Sequence, residues 1–123
     1  MTLKRLDHFN VVTACPDETL RFYCDGLGLV NDPDRRPDFG VPGAWLFAGD
    51  APLVHLAYVD EDPGGQTGPI NHIAFAGEDR EAICARLESL DIAYKLVEQP
   101  PYGFSQVFVI DPNGVKVEIN IAA

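Results

Sequence analysis

Cysteine is scarce in this 123-residue sequence, and its three cysteines follow no recognisable pattern. Cys15, Cys24 and Cys84 are odd in number, widely spaced and include no CxxC pair. Disulfide frameworks and thiolate zinc sites both depend on paired cysteines at short spacings, so the sequence favours neither. We expect the three thiols to act as small buried side chains.

Long apolar segments are also absent. No run approaches the ~20 residues that an apolar helix needs to cross a bilayer, so we expect no membrane partner. The N-terminus carries Lys4, Arg5 and Asp7 where a secretory signal would have an apolar stretch of about 7–15 residues. We therefore expect a cytoplasmic protein.

Basic residues are few. The sequence has nine lysines and arginines against nineteen aspartates and glutamates, which gives a formal charge of −10. A polyanion would be repelled over most of such a surface, so nucleic acid is not expected as a partner. The length suits one domain, and a chain of this size buries roughly two-thirds of its unfolded surface.

The first half of the sequence predicts a β-α-β-β-β module. Leu6 to Thr13 alternates like a strand, and Pro16 begins a helix that should end by Gly28. A short strand is predicted to start at Leu29-Val30, and an exposed loop follows from Asn31 to Gly43. Two further strands flank a turn at Gly49-Asp50-Ala51, namely Ala44 to Ala48 and Pro52 to Val59.

The second half repeats this pattern after an acidic, glycine-rich linker at about 60–69. Its predicted elements are a strand from Ile70 to Ala76, a helix capped by Asp79, a strand from Ala93 to Val97, and a hairpin of Gln106 to Ile110 and Val115 to Ile121 around Asp111-Pro112-Asn113-Gly114. The prediction is a single α+β domain with module 1 at about 1–60 and module 2 at about 70–123.

The repeat pairs four side chains that can ligate a metal. His8 and His72 are 64 positions apart (72 minus 8), and His55 and Glu118 are 63 apart (118 minus 55). Strand alternation sets Val117 and Ile119 opposite Glu118, so the ionisable side chains should project from the sheet face that the helices leave uncovered. A carboxylate there is costly unless it is paired or bound to a cation.

Two imidazoles and one carboxylate with open coordination positions form a set that suits Fe(II) and is also compatible with Mn(II), Zn(II) or Ni(II). A single strand histidine is more often a hydrogen-bonded structural residue than a ligand. All three histidines of the chain, however, lie on predicted strands at equivalent positions of the repeat. We therefore predict a divalent metal site.

The sequence resembles the vicinal oxygen chelate superfamily over nearly its whole length. This superfamily includes glyoxalase I, methylmalonyl-CoA epimerase, fosfomycin-resistance transferases, bleomycin-binding proteins and extradiol ring-cleaving dioxygenases. The resemblance is carried by Leu6-Asp7-His8-Phe9-Asn10-Val11, Phe22-Tyr23-Cys24-Asp25-Gly26-Leu27-Gly28-Leu29, Asn71-His72-Ile73-Ala74-Phe75 and Asp111-Pro112-Asn113-Gly114-Val115-Lys116-Val117-Glu118. It implies two modules curved into an open barrel around a metal held by His8, His72 and Glu118.

The resemblance leaves several activities open. Glyoxalase I has a glutamate ligand where this chain has His55, whereas extradiol dioxygenases have an acid/base histidine on that strand. The dioxygenase signature ahead of the Asp-Pro turn usually has a histidine and then a tyrosine. In this chain Tyr102 is the nearest phenol to that position. The leading hypothesis is an extradiol-type dioxygenase with Fe(II), in which His55 and Tyr102 are catalytic. The alternatives are a lyase or isomerase and a non-catalytic binding protein.

The expected partners are a small molecule that chelates through adjacent oxygens and, from the resemblance alone, a second copy of the chain in a homodimer. Arg35 and Arg36 are the only adjacent arginines. They could bind a substrate carboxylate, although an arginine pair in a charged, proline-rich loop is more often solvated surface.

Overall fold

Eight strands and two helices form the framework of residues 2–122, the part of the chain that the computed structural model describes. In chain order they are β1 (Phe9–Thr13), α1 (Pro16–Leu20), β2 (Val30–Asn31), β3 (Gly43–Ala48), β4 (Ala51–Tyr58), β5 (Ile73–Gly77), α2 (Arg80–Ser89), β6 (Lys95–Gln99), β7 (Phe104–Ile110) and β8 (Lys116–Ala122). A π-helix (Arg21–Gly26) continues α1, and short 3₁₀ turns (Pro33–Arg35 and Pro100–Tyr102) precede β3 and β7. Within residues 2–122, no helix has the length and hydropathy to span a membrane.

The strands form two four-stranded sheets of identical topology. The first sheet has the order β1-β4-β3-β2 and the second the order β5-β8-β7-β6. β1 runs parallel to β4, and β5 runs parallel to β8. The remaining neighbouring strands pair antiparallel. The predicted duplication of a β-α-β-β-β module is therefore confirmed.

Local sequence signals account for both helices. Pro16 occupies the first turn of α1 with Asp17 and Glu18, which favour the positive end of the helix dipole, and Gly28 follows the helical segment with φ +80°. Asp79 caps α2, because its side chain accepts a hydrogen bond from the Ala82 N–H at 3.1 Å.

One hydrophobic core serves both modules. It contains Val11, Val54 and Leu56 from the first sheet, Phe22, Tyr23 and Leu87 from the helical segments, and Val107, Val109, Val117, Ile119 and Ile121 from the second sheet. The core uses one face of each sheet. The opposite faces, which we call the open faces, point away from this core and include His55 in the first sheet and Glu118 in the second.

A buried hydrogen bond joins the modules within this core. The Tyr23 hydroxyl donates to Asp111 Oδ2 at 2.6 Å, and both residues are almost completely buried. Asp111 Oδ1 also accepts from the Asn113 and Val115 N–H groups, each at 2.8 Å, which fixes the β7–β8 turn. Burial, together with the adjacent Asp111 carboxylate, raises the pKa of Tyr23.

The two strands that were predicted to carry His8 and His72 begin later than the sequence predicted. β1 begins at Phe9 and β5 at Ile73, so His8 and His72 each lie immediately before a strand and the prediction that they lie on strands is wrong. The pairing of β1 begins at Val54 of β4, shortly after Pro52, which has no N–H to donate. In the second sheet, the N–H of Val115 is used by Asp111, so β8 itself begins only at Lys116.

The cysteines form no disulfide within residues 2–122. All three are free thiols and only half-buried, so they are more exposed than the expected core positions.

Candidate metal centre

The open face of the second sheet brings His72 and Glu118 together. Glu118 lies on the central strand β8, and its side chain is 8% exposed. His72 Nε2 is 3.4 Å from Glu118 Oε1, and His72 Nδ1 is 2.8 Å from Asn71 Oδ1. If Nδ1 donates to Asn71, Nε2 is an acceptor that faces another acceptor, an arrangement that a cation between them stabilises.

Two neighbouring side chains that the sequence did not single out complete this half of the site. The Gln106 amide donates to Glu118 Oε1 at 3.3 Å, and the Phe108 ring lies edge-on to His72 with centroids 6.3 Å apart. Strand register could have identified both, because Phe108 is directly opposite Glu118 and Gln106 lies two residues away on the same face.

The open face of the first sheet brings His8 and His55 together. Their rings stack with centroids 3.6 Å apart and an interplanar angle of 13°. His8 Nδ1 contacts Asp7 Oδ2 at 2.7 Å, which repeats the His72–Asn71 contact of the other module. In both cases the side chain of the preceding residue holds Nδ1, leaving Nε2 as the nitrogen for a ligand.

His55 is the more enclosed of these two imidazoles. Its residue is 9% exposed, Trp45 stacks on it with centroids 4.2 Å apart, and its Nε2 is buried without a hydrogen-bond partner among residues 2–122. Burial, followed by the positive charge of His8, lowers the pKa of His55. The neutral imidazole is therefore favoured near neutral pH.

The predicted ligands thus form two pairs, one on each sheet. Within residues 2–122, no three histidine, cysteine, aspartate or glutamate side chains come close enough to hold one metal ion. His8 and His55 form the first pair, and His72 and Glu118 form the second. The assignment of His8, His72 and Glu118 as one ligand set remains a prediction.

Tyr102 lies at the border of the second open face. It belongs to the 3₁₀ turn before β7, it is 76% exposed, and its ring packs on Phe104 with centroids 6.3 Å apart. The contacts of Tyr102 therefore belong to the module that carries Glu118.

Comparison with known proteins agrees with this architecture. The family model of the Glyoxalase/Bleomycin resistance protein/Dioxygenase superfamily matches residues 5–119. The chain belongs to this superfamily. A glyoxalase/dioxygenase from Nostoc punctiforme superposes with a TM-score of 0.83 at 19% identity, over 99% of this chain and 93% of that protein. The predicted superfamily and fold class are therefore confirmed.

The curated relatives in the superfamily carry different activities in their names. "Glyoxylase I 4" of Arabidopsis thaliana is 34% identical over 95% of this chain and 70% of that protein. "Metapyrocatechase" of Geobacillus stearothermophilus is 26% identical over 95% of this chain but only 37% of that protein. The superfamily therefore includes glyoxalases and dioxygenases, and its name also covers resistance proteins.

Proposed function

We propose that this protein is a divalent-metal-dependent enzyme acting on a small substrate that chelates through adjacent oxygens, and that its reaction is extradiol-type ring cleavage. The observation that supports this reaction best is the environment of His55. Its imidazole is buried, its Nε2 has no partner within residues 2–122, and it lies beside the predicted ligand His8. An imidazole in that state can accept or donate one proton at a substrate oxygen.

The side chains at the candidate site fit a divalent metal. Two imidazoles and one carboxylate suit Fe(II), which we favour, and Mn(II), Zn(II) or Ni(II) are also compatible. The 3.4 Å between His72 Nε2 and Glu118 Oε1 is short enough for both atoms to ligate one ion, since metal–ligand bonds are about 2.0–2.2 Å. The bound metal would supply positive charge that favours the deprotonated form of a chelating substrate.

We further propose that two copies of the chain assemble each site. The His8–His55 pair of one copy would lie against the His72–Glu118 pair of the other, because within residues 2–122 no third ligand-type side chain is placed to complete a metal site with either pair. Several apolar side chains are exposed on or beside the open faces, including Val12, Val41, Val59 and Ile110. Covering them in a homodimer is favourable.

In this proposal each side chain has a distinct role. His8, His72 and Glu118 hold the metal, and the Gln106 amide orients the Glu118 carboxylate. His55 transfers a proton at the substrate oxygen nearest to its Nε2, while Trp45 excludes water from that imidazole. Tyr102 provides a hydroxyl at the border of the second open face.

Metal content and oxygen uptake together test the proposal. Untagged protein loaded with Fe(II), Mn(II) or Zn(II) should hold about one ion per chain, and Glu118→Gln and His72→Ala should lose it while the circular dichroism spectrum is unchanged. The Fe(II) form should consume O₂ with at least one catechol and give a yellow ring-opened product. Negligible metal with all three ions would contradict the proposed site.

A lyase or isomerase is the second candidate, because the Arabidopsis relative is named as a glyoxylase and is 34% identical. Here His55 would be a base or a fourth ligand. Turnover of 2-oxoaldehyde–thiol adducts or epimerisable acids, without oxygen uptake on any catechol, would select this reaction. A protein that binds such molecules and converts none of them would be a binding protein.

A further inference from the structure

The loop between β2 and β3 brings one arginine onto the open face of the first sheet. Arg36 Nη2 donates to the Val41 carbonyl at 2.8 Å, and the guanidinium carbon lies 5.6 Å from the Phe39 ring centroid. Nη2 is also 3.2 Å from the position that a Cβ on Gly43 would occupy. Gly43 shares its sheet face with Trp45 and His55, so Arg36 lies beside the aromatic part of the candidate site.

Arg36 has hydrogen-bonding capacity that residues 2–122 leave unused. Its Nε is buried without a partner, and the guanidinium makes no ion pair with a described carboxylate. In the described chain, the only other buried side-chain nitrogen or oxygen in this condition is His55 Nε2. A cationic donor is costly to bury without an acceptor. This guanidinium nitrogen and the unpartnered imidazole nitrogen of His55 lie on the same side of the first sheet, which indicates a polar ligand there.

Arg35, the adjacent residue, is paired with a carboxylate. Its Nε donates to Asp32 Oδ2 at 2.8 Å, its Nη1 donates to the Gly49 carbonyl at 3.1 Å, and its guanidinium packs 3.9 Å from the centroid of Phe47. The two arginines share a loop and a charge but differ in their partners. Of the two, only Arg36 has a buried Nε without a partner and no ion pair with a described carboxylate.

Flat apolar surface borders the Arg36 guanidinium. Phe39 packs against Trp45 with centroids 5.8 Å apart, Trp45 stacks on His55, and Phe39 remains 58% exposed. Aromatic rings present surfaces on which another planar ring packs well. A planar ring that carries a carboxylate would use both features at once, because a guanidinium binds carboxylates through paired hydrogen bonds.

We propose that Arg36 determines specificity by binding a carboxylate on an aromatic substrate whose ring packs against Phe39 and Trp45. This inference rests on the proposed function only for the location of the substrate. The inference adds a substrate class to the proposed function, namely aromatic acids that also carry two adjacent oxygens.

Calorimetric titration with a matched pair of ligands tests the proposal. 3,4-Dihydroxybenzoate and the isosteric neutral 3,4-dihydroxybenzamide differ in the charge that Arg36 would bind. The acid should bind about tenfold or more tightly, as expected for a charge-assisted hydrogen bond, and added salt should reduce the difference. Trp45 is the only tryptophan, so a change in its fluorescence would locate binding at this wall.

Two variants and one control complete the experiment. Arg36→Gln should abolish the preference for the acid, Arg36→Lys should keep part of it, and Arg35→Gln should keep it because Arg35 is already paired. Equal binding of acid and amide, no binding of either, or an unchanged preference in Arg36→Gln would overturn the proposal. If the acid binds through Arg36 but no catechol supports oxygen uptake, only the proposed reaction fails.

Discussion

At the scale of single residues, His55 separates the candidate reactions. It could be a permanent metal ligand that reduces the room for substrate oxygens, or a free acid/base with its own proton. The second role agrees better with its geometry, because Nε2 is unpartnered while the ring is held between His8 and Trp45. The low pKa that burial imposes keeps this imidazole neutral and able to accept a proton.

Replacing His55 with alanine should therefore leave the metal in place and lower kcat by roughly 10²–10⁴-fold, the usual contribution of a positioned acid or base. Metal content and turnover must be measured on the same preparation. Joint loss of metal and activity would make His55 a ligand instead. Unchanged turnover would leave it a purely structural role.

Residue chemistry was easier to predict from the sequence than residue position. The four ligand-type side chains were found from the repeat alone, and alternation along β8 correctly put Glu118 opposite Val117 and Ile119. The separation into two pairs was not predictable, because it depends on how the modules pack and not on any local pattern. The lack of an ion pair at Arg36 within residues 2–122 likewise depends on which arginine the loop pairs with Asp32.

At the scale of secondary structure elements, the Tyr23–Asp111 hydrogen bond connects the helical segment of the first module to the last turn of the second. Tyr23→Phe should reduce the free energy of unfolding by about 1–3 kcal/mol, because it leaves a buried carboxylate oxygen without its donor. Urea unfolding near pH 8 measures this loss. Tyr102→Phe is the matched control, since that phenol is exposed, and it should change stability little.

The same pair predicts a pH dependence. The pKa of Tyr23 is higher in the folded protein than its ordinary value of 10.0, so folding favours the neutral phenol. Its contribution to stability is complete below pH 10 and is lost as the pH rises above it, because the unfolded chain then releases a proton that the folded chain retains. Wild-type protein should lose more stability than Tyr23→Phe between pH 8 and pH 11, and equal losses would contradict the assignment.

The β7–β8 turn depends on Gly114. Its φ is +89°, and a Cβ there would lie 2.3 Å from the Gly65 carbonyl oxygen, so Gly114→Ala combines backbone strain with a steric clash. Gly49→Ala is the matched control, because Gly49 also has a positive φ but nothing lies within 4 Å of its Cβ position. The control should cost about 1–2 kcal/mol and Gly114→Ala clearly more by thermal unfolding. Equal losses would show that the contact with Gly65 is unimportant.

Element types were predictable here because their signals are local. The helix start at Pro16, its end by Gly28 and the Asp79 cap are all short-range features. The π-helical continuation of α1 and the late starts of β1 and β5 were not predicted. The starts depend on pairing with β4 and β8, which are distant in sequence.

At the scale of the whole molecule, mixing two variants tests whether each metal site is shared between two chains or contained in one. One variant carries His8→Ala and His55→Ala, and a second carries His72→Ala and Glu118→Ala. Each alone should bind no metal. Refolded together in equal amounts, they should recover about one quarter of the wild-type metal. About half of the dimers are then mixed, and each mixed dimer has one of its two sites intact. Sites contained within single chains would give no recovery.

The continuous core has a consequence for how the chain can be divided. Residues from both sheets and both helical segments pack into one cluster, so neither half contains a complete hydrophobic interior of its own. The two halves have the same topology but share one hydrophobic core. Expressed separately, each half would expose the part of the core that the other half now covers, and we expect it to fold only by associating with another half.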